Sequence, residues 1–176
     1  MKYLIVTLVK GKLEKFQQKL LYDIPKKFNA KRAILRKPPA HITLKYFFET
    51  NDIGKVEKFV KEFCKSHKKS NYRARGFGHF QNDVIFIDID PSKEMVKTRR
   101  EFLKRLESET EIEFLNVDRD SQFHISVAHT DINEEYDKIW SYVNKTNPEF
   151  NCRFDNITIL KVEDNLLKVH KIYNLK

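Results

Sequence analysis

The sequence predicts an α+β fold that is bilobal and internally duplicated, with two mainly antiparallel sheets facing a central cleft and helices on the outside. Two observations lead to this prediction. The phrase His-Ile-Thr-Leu at residues 41–44 has a close counterpart, His-Ile-Ser-Val, at residues 124–127, a little under half the chain length later. The apolar patterning also places both phrases in the same order of elements, which is strand, helix, histidine strand, helix and strand.

The first half shows this order through apolar periodicity and punctuating residues. Pro38 and Pro39 impose an extended backbone before the first histidine strand, and Asn51 or Asp52 can cap the helix that follows it. Residues 81–83 suit the turn of a hairpin. The predicted elements are a strand at residues 3–9, a helix at 12–24, a strand at 41–48, a helix built on Ile53, Val56, Val60 and Phe63, and a strand at 72–80.

The second half repeats the order with little residue identity outside the two histidine phrases. No low-complexity linker divides the halves, so one domain over residues 1–176 is expected. Its two lobes are built around residues 1–80 and 84–176, and exchange of the termini between them is left open. The predicted elements are a strand at residues 84–90, a helix at 92–108, a strand at 123–128, a helix at 133–144, and strands at 154–162 and 168–175.

Composition sets the chemical context of this domain. A chain of 176 residues with 40% hydrophobic residues is not disordered, and 34 Lys and Arg against 25 Asp and Glu give a net charge of +9. Such a charge favours polyanions as partners. Cys64 and Cys152 form no metal-like pair, so we expect thiols in a reducing compartment. No run approaches the ~20 apolar residues of a membrane span. A cytoplasmic monomer without membrane contact is therefore expected.

The paired phrases place polar side chains on one face of each strand. Because side chains alternate along a strand, His41 and Thr43 share a face, and His124 and Ser126 share the corresponding face in the second copy. The intervening apolar residues anchor the other face. If a pseudo-twofold axis relates the halves, the two polar faces meet across the cleft.

Two imidazoles and two hydroxyls suit phosphoryl transfer. Histidines with a pKa near about 6.5 can hold one proton between them, so one acts as general base and the other as general acid. The neighbouring hydroxyls can donate hydrogen bonds to the non-bridging phosphate oxygens. This chemistry requires neither a metal nor a cofactor, and none is expected.

These residues resemble the paired motifs of the two-histidine phosphoesterase superfamily, which includes 2′-5′ RNA ligases and RNA 2′,3′-cyclic phosphodiesterases. The resemblance covers essentially the whole chain, including the run at residues 77–80 before an apolar strand. It implies His41 and His124 as acid and base, and Thr43 and Ser126 as phosphate-holding hydroxyls. The implied activity is opening of 2′,3′-cyclic phosphates on RNA or nucleotides to a 2′-phosphate, with reversible 2′-5′ ligation as a second reaction.

Other residues are candidates for substrate binding. Ala128 and His129 stand where the ligase branch often carries an arginine, and this departure counts against ligation more than against phosphoester chemistry. His129 either supplies a donor there or lies on the opposite face, and strand alternation favours the opposite face. Lys45 is either a cation on the cleft face or a solvated lysine. Phe77 and Tyr173 either stack on a base or pack in the core. A phosphate track is also predicted along basic stretches at residues 26–27, 31–32, 36–37, 68–69 and 73–75.

Three rival interpretations remain open. The run at residues 75–78 begins like an RNA-recognition signature but departs from it at His79 and Asn82, where aromatics belong. A non-catalytic RNA- or nucleotide-binding protein of the same fold would keep the motifs without turnover. A zinc hydrolase is the weakest, because neither H-E-x-x-H nor H-x-H occurs.

Overall fold

The computed structural model describes residues 1–30, 38–119 and 122–176, which fold into two four-stranded antiparallel sheets and four helices. The predicted α+β class and the two antiparallel sheets are confirmed. The first sheet has the strand order β2 (His41–Glu49), β1 (Lys2–Leu8), β7 (Asn156–Glu163) and β8 (Leu166–Asn174). The second sheet has the order β5 (His124–His129), β4 (Val84–Pro91), β3 (Ser70–Phe80) and β6 (Glu149–Phe154).

The helices are amphipathic, and polar residues begin two of them. The Asp52 side chain accepts a hydrogen bond from the Lys55 amide, and Ser92 accepts one from the Met95 amide. The helix predicted at residues 133–144 is shorter than expected, because its first turn is a 3-10 turn at Asn133–Glu135. The four helices are α1 (Lys12–Lys27), α2 (Ile53–Ser66), α3 (Lys93–Glu109) and α4 (Tyr136–Val143).

Each sheet contains strands from both halves of the sequence. Strand β3 joins the second sheet beside β4, and β7 and β8 return to the first sheet beside β1. The strand predicted at residues 154–162 is β7, which begins after Asp155, and β6 before it is a strand that the sequence did not predict. The helices also cross between halves, since α1 packs against β5 and α3 packs against β2. The position of each histidine strand therefore depends on a helix from the other half.

One face of each sheet packs under the helices, and these faces share one core. Ile5 and Ile42 of the first sheet lie in the same buried cluster as Ile87 and Ile125 of the second. The opposite face of the first sheet has a smaller buried cluster around Leu4, Val6 and Leu160. Within the part of the chain that the structure describes, no helix is long and apolar enough to cross a membrane.

Candidate active site

The two histidine strands, β2 and β5, are edge strands of their sheets and pack against each other. Their first five residues, His-Ile-Thr-Leu-Lys and His-Ile-Ser-Val-Ala, have one burial pattern. The first and third side chains are half-buried, and the second, fourth and fifth are buried. We call the face that carries His41 and Thr43 in the first sheet, and His124 and Ser126 in the second, the cleft face.

Both histidine rings are oriented by a backbone carbonyl two residues earlier. The Nδ1 atom of His41 lies 2.6 Å from the Pro39 carbonyl oxygen, and that of His124 lies 3.1 Å from the Gln122 carbonyl oxygen. Because a carbonyl oxygen only accepts, Nδ1 carries the hydrogen in each ring. In the neutral form of each ring, Nε2 is therefore the nitrogen that carries no hydrogen and can accept a proton.

The environment of His41 favours its neutral form. Burial lowers the pKa of His41 from its ordinary value of 6.5, and the Pro39 carbonyl opposes this shift in part. Positive charge on His124 and on His129 lowers the pKa further, as expected for imidazoles within electrostatic range of His41. At neutral pH, His41 is a neutral imidazole that can accept a proton.

The two hydroxyls follow their histidines on the cleft face. Val6 of β1 pairs with Thr43, and Phe86 of β4 pairs with Ser126. The amide of Gln17, on the buried face of α1, donates to the backbone carbonyl of Ser126 at 3.1 Å. Helix α1 therefore fixes the strand that carries His124 and Ser126.

A β-bulge in β5 places His129 on the cleft face, contrary to simple strand alternation. Ser126 pairs with Phe86 and Ala128 pairs with Ile85, so Val127 is the extra residue. His129 is therefore on the same face as Ser126. Strand alternation fails here because it assumes an unbroken ladder.

A matching bulge in β2 turns Lys45 away from the cleft face. Thr43 pairs with Val6 and Lys45 with Ile5, so Leu44 is the extra residue and Lys45 points into the core. Its side chain is fully buried, and its Nζ lies 2.8 Å from Oδ2 of Asp118. Both predictions for Lys45, a cleft cation and a solvated lysine, are therefore wrong.

Asp118 connects the first histidine strand to the segment that leads to the second. Its carboxylate accepts hydrogen bonds from the backbone amides of Tyr46 at 2.7 Å and Leu115 at 2.7 Å, besides the bond from Lys45. Asp118 lies in a 3-10 turn, Asn116–Arg119, and is itself buried. All three bonds reach a carboxylate that has no solvent exposure, so this contact ties the two segments firmly.

The predicted aromatic contacts to a base at Phe77 and Tyr173 are also wrong, because both rings lie on the helix side. Phe77 pairs with the core residue Ile87 and contacts Phe16 of α1, with ring centroids 6.3 Å apart. Tyr173 packs on the same core, and its hydroxyl donates to Glu57 of α2 at 3.4 Å. For both residues, the alternative of core packing is the one observed.

The structure instead places two other phenylalanines beside His124. Phe80 and Phe86 each lie with their ring centroid 5.1 Å from that of His124, and 4.6 Å from each other. The predicted hairpin already contained this signal, because a turn at residues 81–83 sets Gly78 opposite Phe86 on one face with Phe80. The closeness of this face to β5 could not be predicted from the sequence.

The predicted phosphate track is only partly described. Residues 31–32 and 36–37 lie outside the described residues. Elsewhere, Lys26 lies over the ring of Tyr22 at 3.5 Å, and Arg73 pairs with Asp90 at 2.6 Å. Among the residues that the structure does describe, no group of three or more His, Cys, Asp or Glu side chains is arranged to hold a metal ion.

A family model and several solved structures match this chain over most of its length. A model of the 2′-5′ RNA ligase superfamily matches residues 10–166. The structure of TT0787 from Thermus thermophilus has a TM-score of 0.66 at 13% identity, covering 99% of this chain and 98% of that one. Escherichia coli LigT complexed with 3′-AMP has a TM-score of 0.61 at 10% identity, with the same coverage. At these identities the structures show a shared fold. No curated protein matches the sequence.

Proposed function

We propose that this chain, which belongs to the 2′-5′ RNA ligase superfamily, opens 2′,3′-cyclic phosphates at RNA ends or on nucleotides without a metal ion. That superfamily is part of the two-histidine phosphoesterases. One observation carries the proposal. His41 and His124 lie on adjacent edge strands, each with Nδ1 held by a backbone carbonyl and a hydroxyl two residues later on the same face. This is the arrangement that paired acid and base catalysis requires.

His41 is the proposed general base. A base must be neutral before it accepts a proton, and the lowered pKa of His41 keeps it so at neutral pH. Its Nε2 removes a proton from water as the water oxygen bonds to phosphorus. The same atom would deprotonate the 5′-hydroxyl of an RNA end, which gives a 2′-5′ linkage in place of hydrolysis.

His124 is then the proposed general acid. As the new bond forms, the bond between phosphorus and the ribose 3′ oxygen breaks, and Nε2 of His124 gives its proton to that oxygen. The products are a 2′-phosphate and a 3′-hydroxyl, and the net proton count is unchanged. The hydroxyls of Thr43 and Ser126 donate hydrogen bonds to the two non-bridging oxygens, where negative charge is held in the transition state.

The test is incubation with an RNA oligonucleotide ending in a 2′,3′-cyclic phosphate, in the presence of EDTA. Wild type should open the ring, and His41→Ala and His124→Ala should each lose at least about a hundredfold in rate. His79→Ala is the matched control, because His79 is a histidine on the helix side of β3, against Tyr136 and Trp140. It should retain the wild-type rate.

Two outcomes would count against the proposal. Near-normal turnover in either histidine variant removes that residue from the mechanism. Binding of the RNA by wild type without opening of the ring favours the alternative of a non-catalytic RNA- or nucleotide-binding protein, in which the four side chains hold a phosphate.

A further inference from the structure

We infer that Phe80 forms a stacking platform for the nucleobase of the nucleotide whose phosphate is held at His124. This inference rests on the proposed function and adds a base subsite to it. Phe80 is the last residue of β3 and lies on the cleft face, since it pairs with Val84 while its neighbour His79 pairs with the core residue Ile85. Its side chain remains 37% exposed despite contact with two other rings.

The ring of Phe80 is supported by the ring of Phe86, which lies over Gly78. A Cβ atom at position 78 would lie 2.4 Å from Cε2 of Phe86, so the Phe86 ring occupies the space that any other residue at position 78 would need. Phe86 is 3% exposed and outside the main core cluster. Phe80 then leans on this ring, tilted by 39° with centroids 4.6 Å apart.

The position of His124 fixes what the exposed ring can bind. The imidazole meets Phe80 edge-on, at 87° and 5.1 Å between centroids. A single ribose separates the phosphate of a nucleoside cyclic phosphate from its base. When the phosphate is held at Nε2 of His124, the base therefore lies beside the residue next to His124. That residue is Phe80, and its exposed ring can stack on the base.

Stacking on a phenylalanine predicts that a substrate with a base is preferred to one without a base. It predicts only weak discrimination among the different bases. Every base offers a flat face, so stacking tolerates sequence, and the larger purines gain more than pyrimidines. The ligand class is accordingly a nucleoside 2′,3′-cyclic phosphate or an RNA 3′ end, and not a cyclic phosphate without a base.

The experiment compares two cyclic phosphates that differ by the base. Adenosine 2′,3′-cyclic phosphate and the 2,3-cyclic phosphate of methyl riboside are given to wild type, Phe80→Leu and Phe80→Trp. Wild type should favour the adenosine compound by about tenfold in kcat/KM, in line with one stacked base. Phe80→Leu should lose most of this preference, chiefly through a higher KM for the adenosine compound, and Phe80→Trp should keep the preference.

Leu166→Ala is the matched control, because Leu166 is an equally exposed apolar side chain, 38%, at the tip of the β7–β8 hairpin. It should behave as wild type on both compounds. If Phe80→Leu lowers both rates equally, Phe80 acts only by supporting His124, and the inference is overturned. It is also overturned if the preference survives in Phe80→Leu.

A binding measurement separates this inference from the proposed function. Calorimetry with adenosine 2′-monophosphate and with ribose 2-phosphate needs no turnover. If wild type opens neither cyclic phosphate, the proposed function fails, while a tighter Kd for the adenosine compound that is lost in Phe80→Leu still supports the base platform. Equal Kd values for both compounds in wild type contradict it.

Discussion

The histidine strands of the two halves share one backbone design and differ most in chemistry at one buried position. In both strands a bulge follows the hydroxyl, and the fifth residue of the motif points into the core. That residue is Ala128 in the second half, whereas in the first half it is Lys45, neutralised by Asp118. The feature that both strands repeat is therefore the backbone that positions the histidine and the hydroxyl. The buried side chain at the fifth position of the motif differs between them.

The strands next to the histidine strands differ more. Thr43 pairs with Val6, which in turn pairs with Thr158, and both partners have small side chains. Ser126 pairs with Phe86, which in turn pairs with Gly78. The same strand arrangement thus has small, fully buried side chains beside one hydroxyl and aromatic rings beside the other. The two sides of the cleft are therefore alike in the groups proposed for catalysis and unlike in the side chains beside them.

The largest expected difference between the halves is in the free energy of unfolding, because only the first histidine strand contains a buried ion pair. Lys45→Met leaves the Asp118 carboxylate buried without its cation, and loss of one partner of a buried pair costs about 3–5 kcal/mol. Urea unfolding measures this loss. Asp118→Asn added to Lys45→Met should recover part of it, because the buried charge is gone. A loss below about 1 kcal/mol in Lys45→Met would show that the pair contributes little.

The hydroxyls should give the next largest effect, and an equal one in both halves. Thr43→Val and Ser126→Ala each remove one donor to the phosphate and should lower kcat by about a hundredfold, with little change in KM. Steady-state kinetics on a cyclic-phosphate RNA measures both. A loss of kcat in only one of the two variants would show that Thr43 and Ser126 do not contribute equally to catalysis.

The smallest expected effect is a shift in pH dependence due to His41. Because burial lowers its pKa below 6.5, the neutral base persists into mildly acidic solution, and kcat/KM should fall only as the pH drops through this lowered pKa. Removing the charge of His124 by substitution should raise the pKa of His41, as followed by NMR titration of its ring. An acid limb at or above 6.5 would contradict this account.

The same shift predicts a change of stability with pH. Between the lowered pKa and 6.5, the unfolded chain binds more protons at His41 than the folded protein does. The free energy of unfolding should therefore fall as the pH drops through this window. His41→Gln should remove that part of the pH dependence in urea unfolding, and an unchanged slope would assign it to other groups.

Much of the fold and the motif could be predicted from the sequence, because each depends on local periodicity. Alternation put His41 with Thr43 and His124 with Ser126, and both pairs lie as predicted on one face. The faces that strand alternation predicted for Lys45 and His129 were wrong for a shared reason. A bulge adds one residue to the strand and changes the face of all that follow, and no residue type in either strand marks it.

Long-range partners were the other part that the sequence could not supply. Lys45 has a buried partner 73 positions away in Asp118, and without it a buried lysine looks improbable. Phe80 and Phe86 could be placed on one face from the hairpin, but their contact with His124 depends on β5 pairing with β4. Such pairings are set by tertiary packing and not by local pattern.

In the proposed mechanism, one histidine from each half works with the other as a unit. Single-turnover rates of His41→Ala, His124→Ala and the double variant are the sharpest test of this cooperation. If proton removal and proton donation belong to one step, each single variant loses at least about a hundredfold, and the double variant is slower than the slower single by less than about tenfold. Losses that multiply in the double variant would contradict the claim and show that the two histidines act independently.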